Sequence, residues 1–135
     1  MSTGPSEYLR AFLHDSVSSY EELEALLLLA REGGAWSESE VASSLKAPLD
    51  GIAGALRNLA QVPGLLQTHG QLGAPRFQYA PHSKLLRQVV EELAATYAEQ
   101  RLTIVQLMSA NALERARSAA ARHLADSFRP ERQQK

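Results

Sequence analysis

Three polar side chains close to one another in the chain have the chemistry to recognise nucleic acid bases. Arg57, Asn58 and Gln61 fall between the apolar positions of a segment that is periodic like a helix. We expect the apolar positions to face inward; they are Leu49, Ile52, Ala53, Leu56 and Leu59. A guanidinium group can form paired hydrogen bonds with guanine, and a carboxamide can form them with adenine. This helix face therefore favours contacts with base edges.

Four further residues are candidates for contacts that position a nucleic acid without reading its sequence: Ser44, Lys46, His69 and Arg76. Cations are suited to backbone phosphates, and we assign that role to Lys46 and Arg76. His69 lies in a polar turn, where it either touches a phosphate or is a solvated turn residue. Asp50, in contrast, would repel phosphate, although an acidic side chain stabilises the first turn of a helix.

No pattern in the chain supports catalysis or metal binding. The chain has no cysteine, and its four histidines are scattered without the spacing of a metal site. Adjacent acids such as Glu21 and Glu22 point in different directions on a helix, and no glycine-rich phosphate loop occurs. We therefore expect neither an enzyme nor a bound cofactor.

The candidate residues are positioned by two helices, a turn and a hairpin. Ser37 and Glu40 form a capping box that opens the first helix, which ends at Lys46-Ala47-Pro48. Pro48 suits the start of the second helix, which runs from Leu49 to about Ala60. Two β-type runs follow, 64–68 and 76–79, joined by a polar tip, and Ala35-Trp36 is expected as a short strand beside them. We expect Trp36 to fill the core rather than bind a ligand.

This order of elements resembles the winged helix-turn-helix domain of bacterial transcriptional regulators of the MarR, PadR and ArsR kind. The resemblance covers about a third of the chain and consists mostly of core positions: Trp36, Val41, Ala42, Leu45, Ile52, Ala55, Leu56, Leu59, Gly64, Leu65, Leu66, Phe77 and Tyr79. It implies a mainly α fold with a small β-hairpin. It also implies sequence-specific binding to double-stranded DNA by a homodimer.

The charge distribution leaves an alternative open. Residues 38–82 contain the candidate contact residues, and we call this region the reading head. It holds three basic and three acidic side chains and is therefore neutral, although DNA-binding surfaces are usually basic. Residues 1–37 hold two basic and six acidic side chains, and residues 83–135 hold nine basic and six acidic ones. A winged helix that docks on another protein and does not bind DNA is therefore the competing interpretation.

The remaining segments suggest a division of the chain. We expect an N-terminal helical extension at 1–18, the winged-helix domain at 19–82, helices at 83–130 and a disordered tail at 131–135. Within the extension a helix should run from Pro5 to about His14. At the start of the winged-helix domain, Ser19 and Glu22 should form a second capping box. Apolar spacing predicts one helix from Lys84 to about Met108, a break at Ser109-Ala110-Asn111, and a last helix from Ala112 to about Phe128.

The C-terminal helices are longer than one small lobe can cover. An amphipathic helix must bury its apolar face, either against a second subunit or against its own lobe. The resemblance favours a two-fold dimer through these helices, and a small ligand near Tyr97 and Arg101 is a weaker possibility. No run of 18 apolar residues and no signal-peptide pattern occurs, so we expect no membrane span and a cytoplasmic location.

Overall fold

A computed structural model describes residues 4–70 and 73–127, which form six helices and three strands. In chain order these are α1 (Glu7–Ser16), α2 (Tyr20–Glu32), β1 (Ala35–Ser37), α3 (Glu38–Leu45), α4 (Leu49–Ala60), β2 (Leu66–His69), β3 (Arg76–Tyr79), α5 (Lys84–Glu99) and α6 (Arg101–Ser127). The expectation of a mainly α fold with a small hairpin is confirmed. No helix in the described ranges is long and apolar enough to cross a membrane.

Local hydrogen bonds explain where the helices begin. Ser6, Ser19 and Ser83 each accept a backbone amide hydrogen bond with the side chain at the start of α1, α2 and α5. Ser37 opens α3 in the same way, and the Glu40 carboxylate accepts from the Ser37 amide at 3.0 Å, which completes the expected capping box. The first helix occupies Glu7–Ser16 rather than starting at Pro5, because Ser6 supplies the cap.

The three strands form one antiparallel sheet in the order β1-β3-β2. Trp36 lies opposite Phe77, and Thr68 lies opposite Phe77 on the other side of β3. The expected short first strand is thus present, and β3 has the predicted bounds. The hairpin of β2 and β3 is the wing of the fold. His69 was expected in its polar tip, but it is the last residue of β2 and lies opposite Arg76. Strand β2 begins at Leu66 rather than at Gly64, because Gly64 has φ 71° and belongs to the preceding turn. It ends one residue later than expected, since the next turn glycines come only at Gly70 and Gly73.

The elements from α2 to β3 form the winged lobe, and one hydrophobic core holds them together. Leucines of α2, Val41 of α3, the inner face of α4, and Phe77 of β3 belong to the same buried cluster. Trp36 is partly buried against this cluster, and its indole nitrogen donates to the Gly33 carbonyl oxygen at 2.8 Å. This confirms Trp36 as a packing residue whose polar atom has a partner.

Helix α1 packs against α5 and α6. The Ser6 amide and hydroxyl both donate to the Glu92 carboxylate of α5, at 2.9 and 2.6 Å. At the other end of α1, His14 Nε2 lies 3.5 Å from Glu114 Oε1 of α6. Helix α1 therefore packs on the C-terminal helices instead of covering the surface of α3 and α4 that carries the candidate contact residues.

The predicted helix break was placed wrongly. Helix α5 ends at Glu99, Gln100 leaves the helical conformation with ψ 61°, and α6 continues through Ser109-Ala110-Asn111 to Ser127. Serine and asparagine lower helix propensity by no more than about 0.7 kcal/mol each, and neither removes a backbone donor. The bend at Gln100 allows Ile104 to reach the core, where it is fully buried.

The second half of α6 leaves the body of the protein. The helix has 27 residues, a length of roughly 40 Å at 1.5 Å per residue. Ile104 is its one buried residue in the described range, and every residue from 116 to 127 is exposed. Phe128, the expected end of the apolar stripe, and the expected tail at 131–135 lie outside the described residues.

Candidate nucleic-acid interface

The turn between α3 and α4 sets the direction of the candidate reading helix. Lys46 ends α3 in the left-handed conformation with φ 56°, and it is the one non-glycine residue with positive φ in the described ranges. The Ala47 amide returns to the Ala42 carbonyl oxygen at 3.0 Å, and Pro48 then precedes α4. The chain therefore reverses at the predicted place, and the Lys46 side chain is exposed on the turn.

Helix α4 packs on α2 and α3 through Ile52, Ala55, Leu56 and Leu59. Leu49 was expected to face inward, but it is 49% exposed. Leu49 is the first residue of α4, so no earlier turn of this helix covers its side chain. Recognition helices contact base edges mainly with their N-terminal residues. Leu49 is therefore a candidate that the sequence interpretation missed.

Arg57 is exposed on α4, but it is paired within the lobe. Its Nε lies 3.4 Å from Glu38 Oε2, in the first turn of α3. The Arg57 side chain is 69% exposed, whereas that of Glu38 is 18% exposed. The guanidinium group of the main base-reading candidate thus lies beside a carboxylate that is mostly covered by protein.

Arg76 has the same kind of partner from the same turn. Its Nη2 donates to Glu40 Oε1 at 2.8 Å and to the Ala35 carbonyl oxygen at 3.1 Å. The Ser37 backbone amide and, after it, the Arg76 guanidinium lower the pKa of Glu40. The Glu40 side chain therefore caps α3 and binds the wing at once. A capping box is visible in a sequence, whereas this pairing with Arg76 is not.

Asn58 has a partner within the protein. The Asn58 side-chain amide donates to Glu22 Oε2 at 2.9 Å, and the Ser18 amide donates to Glu22 Oε1 at 2.8 Å. Glu22 is 3% exposed whereas Asn58 is exposed, so this is a partly buried link between α4 and the start of α2. Since Glu22 binds Ser18, it does not complete the expected box with Ser19. Gln61 lies beside the same link, in a cleft of about 260 Å³ that Asn58 also lines.

The other positioning candidates lie on the wing and on α3. Ser44 is exposed and lines a shallow cleft of about 550 Å³ with Trp36, Glu40 and Arg76. His69 Nε2 is 2.9 Å from Gln78 Oε1 on the adjacent strand. The structure therefore brings Ser44, Arg76 and the Glu40 carboxylate together. Asn58, in contrast, binds Glu22 of α2.

A third cleft tests the weaker idea of a small ligand near Tyr97 and Arg101. It has a volume of about 320 Å³ and is lined by Tyr20, Glu21, Glu24, Leu45, Ala47, Ile52 and Arg101. The Tyr97 hydroxyl donates to Glu24 at 2.8 Å, and Arg101 lies 3.6 Å from the same carboxylate oxygen. Burial and, next, the bond to Glu24 raise the pKa of Tyr97 to about 12, so the hydroxyl stays protonated. The Glu24 carboxylate at this cleft is thus already engaged by Tyr97 and Arg101.

Comparisons with known proteins find similarity in structure but not in sequence. No protein-family model matches the chain, and no curated protein matches it significantly. The chain is similar to the homodimeric winged helix-turn-helix DNA-binding domain of a possible ArsR-family transcriptional regulator from Mycobacterium bovis. The identity is 17%, 74% of this chain and 95% of that chain are covered, and the TM-score is 0.49.

The chain is also similar to MepR, a transcription regulator of the Staphylococcus aureus multidrug efflux pump MepA. The identity is 15%, 88% of this chain and 90% of that chain are covered, and the TM-score is 0.46. A MepR variant from a clinical isolate matches with 15% identity over 89% of this chain and 86% of that chain, with a TM-score of 0.49. The winged helix-turn-helix fold of this chain follows from its own order of helices and strands.

Proposed function

We propose that this chain is a homodimeric DNA-binding protein that regulates transcription through its winged helix-turn-helix. The observation that carries the proposal is the convergence of two exposed arginines from different elements. Arg57 of α4 and Arg76 of the wing both reach the first turn of α3, and their side chains are 69% and 45% exposed. A helix and a wing that present guanidinium groups together suit a groove and its flanking phosphates.

The contact residues of this proposal differ in role. Arg57 is assigned to base edges, and Lys46, Arg76 and Ser44 are assigned to the DNA backbone. His69 is a second wing contact if Gln78 releases its ring. Asn58 is no longer assigned to bases, since it is engaged by Glu22. The exposed Gln61 keeps its assignment, because residues four apart on a helix lie on the same face and Gln61 is therefore beside Arg57. Leu49, exposed at the start of α4, is added as a candidate for an apolar contact with a base.

The dimer is proposed from the surface of α6. Leu102, Leu113 and Leu124 are 65%, 53% and 56% exposed on a helix that leaves the body of the protein. Burying a leucine side chain stabilises by about 1.5–3 kcal/mol, so pairing two such helices is favourable. A two-fold dimer would place two reading helices for contact with two half-sites of a pseudo-palindromic sequence.

The competing function is a protein-docking module, and one specific observation favours it. Arg57 and Arg76 lie beside carboxylates of the chain itself, and the acidic Asp50 and apolar Leu49 are exposed at the start of α4. Such a surface suits a protein partner, because apolar contacts with a few charged pairs are typical of protein interfaces.

DNA binding by the purified chain decides between the two functions. We would measure the fluorescence anisotropy of labelled random duplex DNA between about 20 and 200 mM salt. We expect binding that weakens steeply with salt and that is lost when Arg57 and Lys46 are changed to alanine. Arg10→Ala, an exposed arginine on α1, is the matched control and should bind like the wild type. A folded dimer that binds no DNA at the lowest salt would favour the protein-docking module.

A further inference from the structure

The first turn of α3 places two carboxylates against the two arginines of the proposed DNA interface. Glu38 and Glu40 lie two residues apart, and each approaches a different guanidinium group, at 3.4 and 2.8 Å. Residues 38–82 hold three basic side chains, so these two pairs engage all of them except Lys46. The neutral charge of the reading head thus has a local structural origin.

We propose that Glu38 and Glu40 limit the affinity of the interface for DNA by competing with backbone phosphates for Arg57 and Arg76. The proposal rests on the DNA-binding function proposed above. A phosphate that approaches either arginine must displace the carboxylate or remain beside it. In the first case an ion pair is lost, and in the second two negative charges are held close together.

The opposite effect is also physically possible, because a carboxylate can hold an arginine in a productive orientation. Two observations argue against it for Arg57. The contact to Glu38 at 3.4 Å is an ion pair without a hydrogen bond, and the Arg57 side chain is 69% exposed. Because Arg57 is the exposed member of the pair, a single contact of this kind restrains its long side chain only weakly. Repulsion between a carboxylate and several nearby phosphates, in contrast, adds up over the interface.

Arg76 is held more firmly, but only through one nitrogen. Its Nη2 makes both bonds, to Glu40 and to the Ala35 carbonyl oxygen. A guanidinium group has five N–H donors, so a phosphate can still approach the remaining ones. The Ala35 carbonyl oxygen would keep its bond to Arg76 if the negative charge of Glu40 were removed. The charge of Glu40 is therefore not needed for the position of Arg76.

Glutamine substitutions separate the charge from the fold. Glu40→Gln keeps a side chain that can complete a capping box, and Glu38→Gln keeps the size of the side chain. Glu7→Gln removes an equivalent first-turn acid from α1, which packs on α5 and α6, and is the matched control. If Glu38→Gln melts at a lower temperature than the wild type, Glu38→Ala is measured in its place, because it also removes the negative charge.

The measurement is the binding of each variant to labelled random duplex DNA at several salt concentrations. We expect Glu38→Gln and Glu40→Gln each to tighten binding about fivefold, the size expected from an exposed ion pair, with a larger gain in the double variant. The plot of log affinity against log salt should steepen by up to about 0.9 for each carboxylate removed. Glu7→Gln should change neither quantity.

A double-variant cycle shows whether Glu40 acts through Arg76. The gain from Glu40→Gln should shrink when it is introduced into an Arg76→Ala chain, because the pair no longer exists. A purely structural effect on α3 would be the same in both chains. The cycle therefore tests electrostatic competition separately from stability.

The outcomes distinguish this proposal from the proposed function. Unchanged or weaker DNA binding by the glutamine variants, with a wild type that binds, would overturn the competition and leave the function standing. Absence of DNA binding by both the wild type and the double variant would overturn both. Binding by the double variant alone would support the competition and would show that the acids suppress DNA binding in the natural chain.

Discussion

The winged lobe and the C-terminal part of α6 place the same residue type in opposite environments. Leu26, Leu56 and Leu59 in the lobe are 0% exposed, whereas Leu113 and Leu124 on α6 are 53% and 56% exposed. The buried leucines lie in a core that the lobe shares with α1, α5 and Ile104 of α6. No element of the described residues covers Leu113 and Leu124 to the same degree. The C-terminal part of α6 is thus suited to a further contact.

The largest expected effect comes from truncating a leucine in the lobe. Leu56→Ala should lower the free energy of unfolding by about 2–5 kcal/mol, because it removes buried methyl groups and leaves a cavity. The comparison variant is Leu124→Ala, which should change it by no more than about 0.5 kcal/mol where the chain is monomeric. Urea unfolding of both variants measures the difference. Equal losses would show that α6 is packed as well as the lobe is.

A glycine substitution tests how tightly the base of the wing is packed. Gly64 has φ +71°, and a Cβ there would lie 2.0 Å from His82 Nδ1. Gly64→Ala should lower the free energy of unfolding by roughly 2 kcal/mol or more, since backbone strain and displacement of the His82 ring add together. Gly73→Ala, with φ +80° but no atom within 4 Å, should show the strain alone. Similar losses in the two variants would mean that the ring moves freely.

The assembly of α6 is tested by charges on its apolar stripe. Leu113→Glu with Leu124→Glu should give a monomer in analytical ultracentrifugation, while the circular dichroism spectrum of the lobe is kept, because buried carboxylates oppose pairing of two helices. Ser118→Glu, roughly 140° around the helix from Leu113, is the control and should remain dimeric. A wild-type chain that sediments as a monomer at all concentrations would remove the basis for the dimer.

The smallest expected effect concerns the contact between α1 and α6. Asp15 and, more weakly, Glu114 raise the pKa of His14 above its usual value of 6.5. A raised pKa means that the stabilising contribution is present below about pH 6.5 and is lost as the pH rises through the folded value. His14→Gln should therefore lower the melting temperature more at pH 5.5 than at pH 8. His123→Gln, farther along α6, is the comparison variant, and equal changes in the two would contradict the role of His14.

Local patterns made the winged lobe predictable. The serine caps, the Ser37–Glu40 box and the turn at Pro48 each involve residues no more than a few positions apart. Alternating polarity predicted the bounds of β3 for the same reason. The break in the C-terminal helices was not predictable in this way. Ser109-Ala110-Asn111 is weakly unfavourable for a helix but compatible with one. The bend at Gln100 brings Ile104 into the core, and such a contact with distant residues cannot be read from the local sequence.

The candidate site shows the same division between local and distant interactions. Residue types alone identified Arg57, Arg76 and Lys46 as exposed cations on a helix, a strand and a turn. Asn58 is paired with Glu22, and Arg76 with Glu40, across 36 positions of the chain in each case. Such partners are selected when helices and strands pack, because an exposed side chain has no local preference among distant carboxylates. The sequence by itself determined which polar and charged groups were candidates for binding, and the tertiary structure decided which of them the chain's own carboxylates already hold.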